Sequence, residues 1–183
     1  MKKIIVICGP TGIGKTSFAI SIARRFNGEI IGADSMQIYK HMDIGTAKPS
    51  SEELKLARHH LVDFVDPKED FDAGRYAKTA DNAIEDITTR GKVPIITGGT
   101  GLYIRALLNG LFRSKPISSK ILNQLTIELE ENGSTSLYQK LKKYDPDAAK
   151  KIHPNDSFRV IRALEVFLTS GRKISDRQKN HNF

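Results

Sequence analysis

The chain has 183 residues, 39% hydrophobic and 27% charged, a composition typical of a globular domain and not of a disordered segment. The formal net charge of +8 has two interpretations, a solvated lysine-rich surface or a polyanionic partner such as RNA. The single cysteine, Cys8, excludes a disulfide within this chain, and no apolar run has the length of a membrane span, so we expect a cytoplasmic protein.

The first part of the chain alternates apolar runs with amphipathic stretches. Apolar residues at helical spacing predict one helix over residues 16–26 and another that stops at Gly91. The apolar face of the first helix is predicted to comprise Ala19, Ile22, Ala23 and Phe26. Strands are predicted at residues 4–8, 28–34, 61–66 and 93–97. This alternation predicts a parallel sheet covered by helices on both faces, with ligands beyond the carboxyl ends of the strands.

Beyond residue 113 the strand pattern ends and helical periodicity begins. Two short helices are predicted within residues 118–151, separated by the sequence NGS at 132–134. A further helix follows Pro154 and closes at Gly171. We therefore predict two domains: an α/β core of residues 1–113 plus 153–183, and a small all-helical insertion of residues 114–152.

The segment GPTGIGKT has the spacing of a phosphate-binding loop and lies between a predicted strand and a predicted helix. Its glycines let backbone N–H groups face phosphate oxygens, and the following helix adds its positive dipole end. The lysine adds a full charge, and the final threonine offers Mg²⁺ a hydroxyl. The fold predicted is therefore P-loop NTPase-like, and the predicted phosphate-binding residues are Gly9, Pro10, Thr11, Gly12, Ile13, Gly14, Lys15 and Thr16.

The sequence lacks the acidic strand end that supports magnesium in many nucleotide hydrolases. Its most apolar strand, residues 93–97, opens instead into Gly98, Gly99 and Thr100. Thr100 has two compatible interpretations: the N-cap of a helix that begins at residue 101, or a catalytic hydroxyl at the ligand-binding edge of the sheet.

Two further sets of charged residues are candidates for chemistry. Asp34 ends the second predicted strand, where a carboxylate can hold Mg²⁺ through water, accept a proton from a substrate amine, or simply cap a turn. Arg159 and Arg162 share one helical face, so two guanidiniums can clamp a pyrophosphate or an RNA backbone. The alternative for this pair is an exposed face on which Arg162 pairs with Glu165.

Five blocks of the sequence together resemble the tRNA dimethylallyltransferase family, also called tRNA isopentenyltransferase. The blocks are GPTGIGKT, ADSMQIYKHMDIGTAKP, HHLVDFVDP, ITGGTGLYIRALLNG and NDSFRVIRALEVF, in the family's order and over nearly the whole chain. The resemblance implies transfer of the dimethylallyl group of dimethylallyl diphosphate to N6 of adenosine 37, beside the tRNA anticodon. It also implies that the loop binds the diphosphate, with Mg²⁺, and that no nucleotide is hydrolysed.

The resemblance also implies roles for individual residues. Asp34 would take the proton from N6, and Thr100 would donate a hydrogen bond to the departing oxygen of the diphosphate. Phe158 stands where the family usually has Gln. The residues implied to contact tRNA are Asp34, Ser35, Met36, Gln37, Thr100, Phe158, Arg159, Val160, Ile161 and Arg162.

The helical insertion corresponds in the family to a domain that packs against the anticodon stem, so the resemblance favours RNA as the partner of the basic surface. Family members continue well beyond the point where this sequence stops, so we expect a C-terminally truncated member, acting as a monomer. Three alternatives stay open: prenylation of free adenine nucleotides, a small-molecule kinase, and an inactive remnant that binds RNA or diphosphate without turnover.

Overall fold

The structure is a computed structural model, and it describes residues 3–111 and 118–180, with no description of the Asn180 side chain. The chain divides into two compact units, a sheet unit of Met1–Gly110 and a helical unit of Leu111–Phe183. Within the described ranges, no helix is both long enough and apolar enough to cross a membrane.

Four parallel strands form the sheet, in the spatial order β1, β4, β2, β3. Their bounds are Ile5–Cys8 for β1, Gly28–Gly32 for β2, His59–His60 for β3 and Val93–Gly98 for β4. The parallel sheet predicted from the alternating pattern is therefore confirmed. The strand expected at residues 61–66 is wrong, because Leu61 and Asp63 have φ angles of 59° and 56°, which interrupt extended backbone directly after β3.

Helices cover both faces of the sheet, as predicted. Their bounds in this unit are Lys15–Phe26 for α1, Ser51–Leu56 for α2, Ala73–Thr89 for α3 and Gly101–Asn109 for α4. α1 packs on the face that carries Ile30 and Ile95, whereas α3 and α4 pack on the face that carries Ile31 and Ile96. These isoleucines are fully buried, which explains why the central strands read as continuous apolar runs.

The buried face of α1 differs in part from the predicted one. Ala19 and Ala23 are buried as expected, but Ile20 completes the face and Phe26 is 49% exposed. The helix ends at Phe26 because Asn27 takes a left-handed conformation, so the last side chain has no further turn against which to pack.

The helical unit contains four helices within the described residues. Their bounds are Ser119–Tyr144 for α5, Pro146–Ala149 for α6, Ser157–Ser170 for α7 and Ile174–Asn180 for α8. Gly133 has non-helical angles (φ 74°, ψ 171°), so α5 consists of two helical stretches that meet at the predicted break. Gly171 closes α7 in a left-handed conformation, also as predicted.

The grouping of α7 differs from the one expected from the sequence. Its buried residues, among them Val160 and Leu164, share a core with Leu137 and Leu141 of α5. Residues 153–180 therefore group with the helical unit, whereas the sequence suggested that they return to the α/β core. The predicted boundary between residues 113 and 114 lies outside the described residues.

A buried carboxylate on β2 joins three basic side chains of the sheet unit. Glu29 is 1% exposed, and its oxygens accept hydrogen bonds from both terminal nitrogens of Arg90 and from Lys92 Nζ. His60 Nε2 lies 2.7 Å from the same carboxylate. The Arg90 guanidinium, followed by Lys92 and His60, holds the pKa of Glu29 far below its ordinary value even though burial acts to raise it.

We expect Glu29→Gln to lower the free energy of unfolding by about 3 kcal/mol at neutral pH, because removing one member of a buried ion pair leaves its partners uncompensated. The pKa of Glu29 in the folded state lies below the ordinary 4.5, so its stabilisation is complete above that pH and is lost as the pH falls. Urea unfolding of both proteins at about pH 7 and about pH 3 measures this, and the deficit of the variant should shrink at the lower pH. An equal deficit at both pH values contradicts the prediction.

Candidate phosphate-binding site

The glycine-rich loop connects β1 to α1 at the carboxyl end of the sheet. Gly12 and Gly14 have φ angles of 87° and 84°, a left-handed backbone that residues with a Cβ rarely adopt. Gly14 occupies the N-cap of α1 and has no side chain that could cap the helix. The backbone N–H groups of the first helical turn are therefore available to a ligand. Lys15 Nζ donates to the Pro10 carbonyl at 2.5 Å, which lays the ammonium over the loop.

A cavity of about 160 Å³ opens against this loop within the sheet unit. It brings together the loop, the ends of β2 and β4, and parts of the segments that precede α2 and follow β3. The residues that line it are Thr11, Gly12, Gly14, Lys15, Thr16, Ile30, Gly32, Asp34, Gln37, Ala47, Pro49, His59, Val62, Thr97 and Gly98. The loop and Asp34 therefore line one cavity, although the sequence indicated them only as separate candidates.

Asp34 lines the cavity and also organises its own turn. Its Oδ1 accepts from the backbone N–H groups of Met36, at 2.9 Å, and Gln37, at 3.3 Å. The turn-capping interpretation is therefore confirmed, and it is compatible with chemistry because a carboxylate has further lone pairs for a ligand.

Thr100 is tied to the Asp34 turn. Although it occupies the N-cap position of α4, its side chain makes no cap hydrogen bond. Its Oγ1 instead accepts from the Ser35 N–H at 2.9 Å and donates to Ser35 Oγ at 3.2 Å. The predicted N-cap position of Thr100 is therefore confirmed, but its side chain does not cap the helix, and its hydroxyl reaches the residue directly after Asp34.

Gln37 fixes one wall of the cavity. Its Nε2 donates to the carbonyls of Thr46, at 3.2 Å, and Ala47, at 2.7 Å. The amide N–H groups of Gln37 are thus used within the protein, while Met36 beside it is 46% exposed. The implied contacts of Met36 and Gln37 with tRNA stay predictions.

The remaining predicted contact residues lie on α7 in the helical unit. Phe158 is 83% exposed, whereas Val160 is buried in the core of that unit and Ile161 packs partly against it. Arg159 pairs with Asp156, and Arg162 pairs with Glu165 at 2.5 Å. The intrahelical pairing of Arg162 that the sequence offered as an alternative is therefore present.

His59 is a cavity residue that the sequence did not single out. A carbonyl can only accept, so Nδ1 carries the proton that it donates to the Ala57 carbonyl at 2.8 Å. Nε2 is buried and has no hydrogen-bond partner among the described residues, and burial lowers the pKa of the ring. Pro49 and Val62 also line the cavity from loops, and no local pattern marks them because their positions depend on how distant segments pack.

A parallel sheet with a glycine-rich loop after its first strand, and a cavity at the carboxyl ends of its strands, defines a P-loop α/β protein. The model of a family described as IPP transferase matches residues 37–183. The chain belongs to the IPP transferase family, and the resemblance that its motifs predict is confirmed.

Relatives and solved structures agree with this family. The tRNA dimethylallyltransferase of Desulfosudis oleivorans is 49% identical over 99% of this chain, and that of Caldanaerobacter subterraneus subsp. tengcongensis is 51% identical over 97%. The chain spans only 58% and 56% of these two relatives.

Among solved structures, a eukaryotic dimethylallyltransferase acting on tRNA matches 99% of this chain with a TM-score of 0.81 and 40% identity, over 45% of its own length. The full-length tRNA isopentenylpyrophosphate transferase of Bacillus halodurans matches 93% of the chain with a TM-score of 0.62 and 41% identity, over 57% of its length. The P-loop NTPase-like fold predicted from the sequence is confirmed.

Proposed function

We propose that this chain provides the diphosphate-binding and base-activating part of a tRNA dimethylallyltransferase. The reaction transfers the dimethylallyl group of dimethylallyl diphosphate to N6 of adenosine 37 in tRNA and releases diphosphate. One observation supports this above all: a single cavity is lined by the P-loop residues, including Lys15 and Thr16, and by the carboxylate residue Asp34.

The proposed chemistry needs charge stabilisation at one end of the cavity and a base at the other. As the bond from N6 to the allylic carbon forms, the bond from that carbon to the diphosphate oxygen breaks. The N–H groups of the loop and the Lys15 ammonium stabilise the charge that grows on the leaving diphosphate. Asp34 accepts the proton that N6 loses, and its fixed turn holds the carboxylate in place. Thr100, at the N-cap of α4, holds that turn through its hydrogen bonds with Ser35.

The donor set of the cavity fits Mg²⁺. The Thr16 hydroxyl and the Asp34 carboxylate are hard oxygen donors that line the same cavity as the phosphate loop, and Mg²⁺ commonly combines few protein ligands with substrate phosphates. When bound, the ion would neutralise charge on the diphosphate.

The distribution of charge supports RNA as the second substrate. Residues 111–183 hold 14 of the 29 Lys and Arg but only 8 of the 21 Asp and Glu, so this unit carries +6 of the net charge of +8. A basic surface gives salt-sensitive affinity for a phosphate backbone, and a base in a loop can be splayed into a pocket. The monomeric state and the cytoplasmic location stay predictions.

A transfer assay tests the proposal. We expect label from dimethylallyl diphosphate to enter unmodified tRNA in the presence of Mg²⁺, with one diphosphate released per group transferred and no ATP consumed. A tRNA with guanosine in place of adenosine 37 is the matched control and should take up no label. Consumption of ATP without dimethylallyl diphosphate would show a kinase instead, and binding without transfer would show an inactive remnant.

A further inference from the structure

Two loop segments that are distant from the P-loop in sequence form part of the cavity wall. Residues 41–49 contribute Ala47 and Pro49, and residues 61–66 contribute Val62. Neither segment contains a helix or strand, so the shape of this wall depends on side-chain contacts.

Lys48 joins these two segments. Its Nζ donates to Asp43 Oδ1 and to Asp63 Oδ1, both at 2.7 Å, and its side chain is only 9% exposed. We call Lys48, Asp43 and Asp63 the Lys48 bridge. Lys48 lies in sequence between two wall residues, Ala47 and Pro49, and Asp63 directly follows a third.

Several residues of the two bridged segments have unfavourable backbone angles. Five described residues other than glycine have positive φ, and four of them lie in this region: His41, Ala47, Leu61 and Asp63, with angles between 52° and 62°. Such residues keep a left-handed conformation only where the surrounding contacts enforce it. Lys48 directly follows Ala47 and pairs with Asp63, so the bridge restrains both of these residues. Gln37 Nε2 in addition donates a hydrogen bond to the Ala47 carbonyl.

The ammonium of Lys48 is already satisfied by two carboxylates. Burial acts to lower the pKa of Lys48, but Asp43 and Asp63 outweigh it and raise that pKa. Hydrogen bonding from Lys48 likewise lowers the pKa of Asp63. Lys48 and Asp63 are therefore charged at neutral pH, and the charge of the lysine is compensated within the protein itself.

We infer that Lys48 is a positioning residue for the cavity, which holds the wall at Ala47, Pro49 and Val62 in the shape that receives the prenyl diphosphate. This inference rests on the proposed function. It assigns Lys48 an indirect role, in contrast to Lys15, whose ammonium lies over the phosphate loop.

Calorimetric titration with dimethylallyl diphosphate, without RNA, tests the inference. We expect Lys48→Met and Asp63→Asn each to weaken binding about tenfold, because small displacements of positioning groups have effects of this order. Lys48→Arg keeps both ion pairs and should stay close to the parent protein. Lys40→Met is the matched control, since Lys40 is an exposed lysine just before the segment and has no ion pair among the described residues.

The Asp63 variant separates positioning from direct binding. If Lys48 were itself a ligand of the diphosphate, Asp63→Asn would free its charge and tighten binding, and this result would overturn the inference. Unchanged binding by Lys48→Met would overturn it as well.

Hydrogen exchange keeps the test independent of the proposed function. We expect amides of residues 41–48 and 61–65 to exchange faster in Lys48→Met and in Asp63→Asn, with α3 unchanged. If the parent protein does not bind the prenyl diphosphate, the proposed function fails, whereas unchanged exchange in both variants means that the bridge does not hold the wall.

Discussion

Asp34→Asn should lower the rate of dimethylallyl transfer by about 10²- to 10³-fold, the usual contribution of a general base. The amide keeps an oxygen that accepts from the Met36 and Gln37 N–H groups, so the turn should persist while the proton acceptor is lost. Single-turnover transfer to tRNA at saturating dimethylallyl diphosphate measures the chemical step, and titration of the diphosphate reports whether the cavity is intact.

A matched control exists in the same unit. Asp66 Oδ1 accepts from the Lys68 N–H at 2.9 Å in a turn of the same kind, but Asp66 does not line the cavity. Asp66→Asn should therefore leave the transfer rate unchanged. If Asp34→Asn transferred at the parent rate, Asp34 would not be the base and its role would be confined to the turn.

Gly98→Ala should unfold the sheet unit or displace the Asp34 turn. A Cβ at Gly98 would lie 2.1 Å from the Ala33 carbonyl oxygen and 2.3 Å from its carbon, and both are backbone atoms that no rotamer change can move. Ala33 is held there by hydrogen bonds from its N–H to Thr97 and from the Thr100 N–H to its own carbonyl. We expect a loss of about 3 kcal/mol or more in the free energy of unfolding, at the upper end of overpacking effects.

Gly101 provides the control for this prediction. It lies three residues further on, begins α4, and an added Cβ there meets no atom within 4 Å. Gly101→Ala should be neutral or stabilise the protein by up to about 1 kcal/mol, because alanine favours helix. Chemical denaturation of both variants measures the contrast. Similar stability of the two would show that β4 and the Asp34 turn separate easily.

Much of the fold was predictable because its signals are local. The P-loop depends on glycine conformation and on one lysine over eight consecutive residues, and the strand before it and the helix after it follow from hydrophobic periodicity. The end of α7 at Gly171 was predictable for the same reason, since only the left-handed residue that closes it is required. The family followed from the order of five short blocks.

The predictions from the sequence were wrong where the conformation of a residue depends on contacts with residues that are distant in the sequence. Residues 61–66 have the composition of a strand, yet Leu61 and Asp63 take positive φ where the chain is held by Gln37 and Lys48. Helix α7 has an apolar face that suits a sheet or a helix equally, and its packing on α5 was decided only when the chain folded.

The sequence by itself determined the phosphate loop, the alternation of strands and helices, the family and the carboxylate at the end of β2. Only the tertiary structure decided that Asp34 and the loop line one cavity, that Thr100 reaches Ser35 across 65 residues, and that Lys48 reaches Asp63 across 15. The physical reason is that backbone propensity and periodicity act between neighbours in the chain. The pairing of polar side chains acts between neighbours in space, which the path of the whole chain determines.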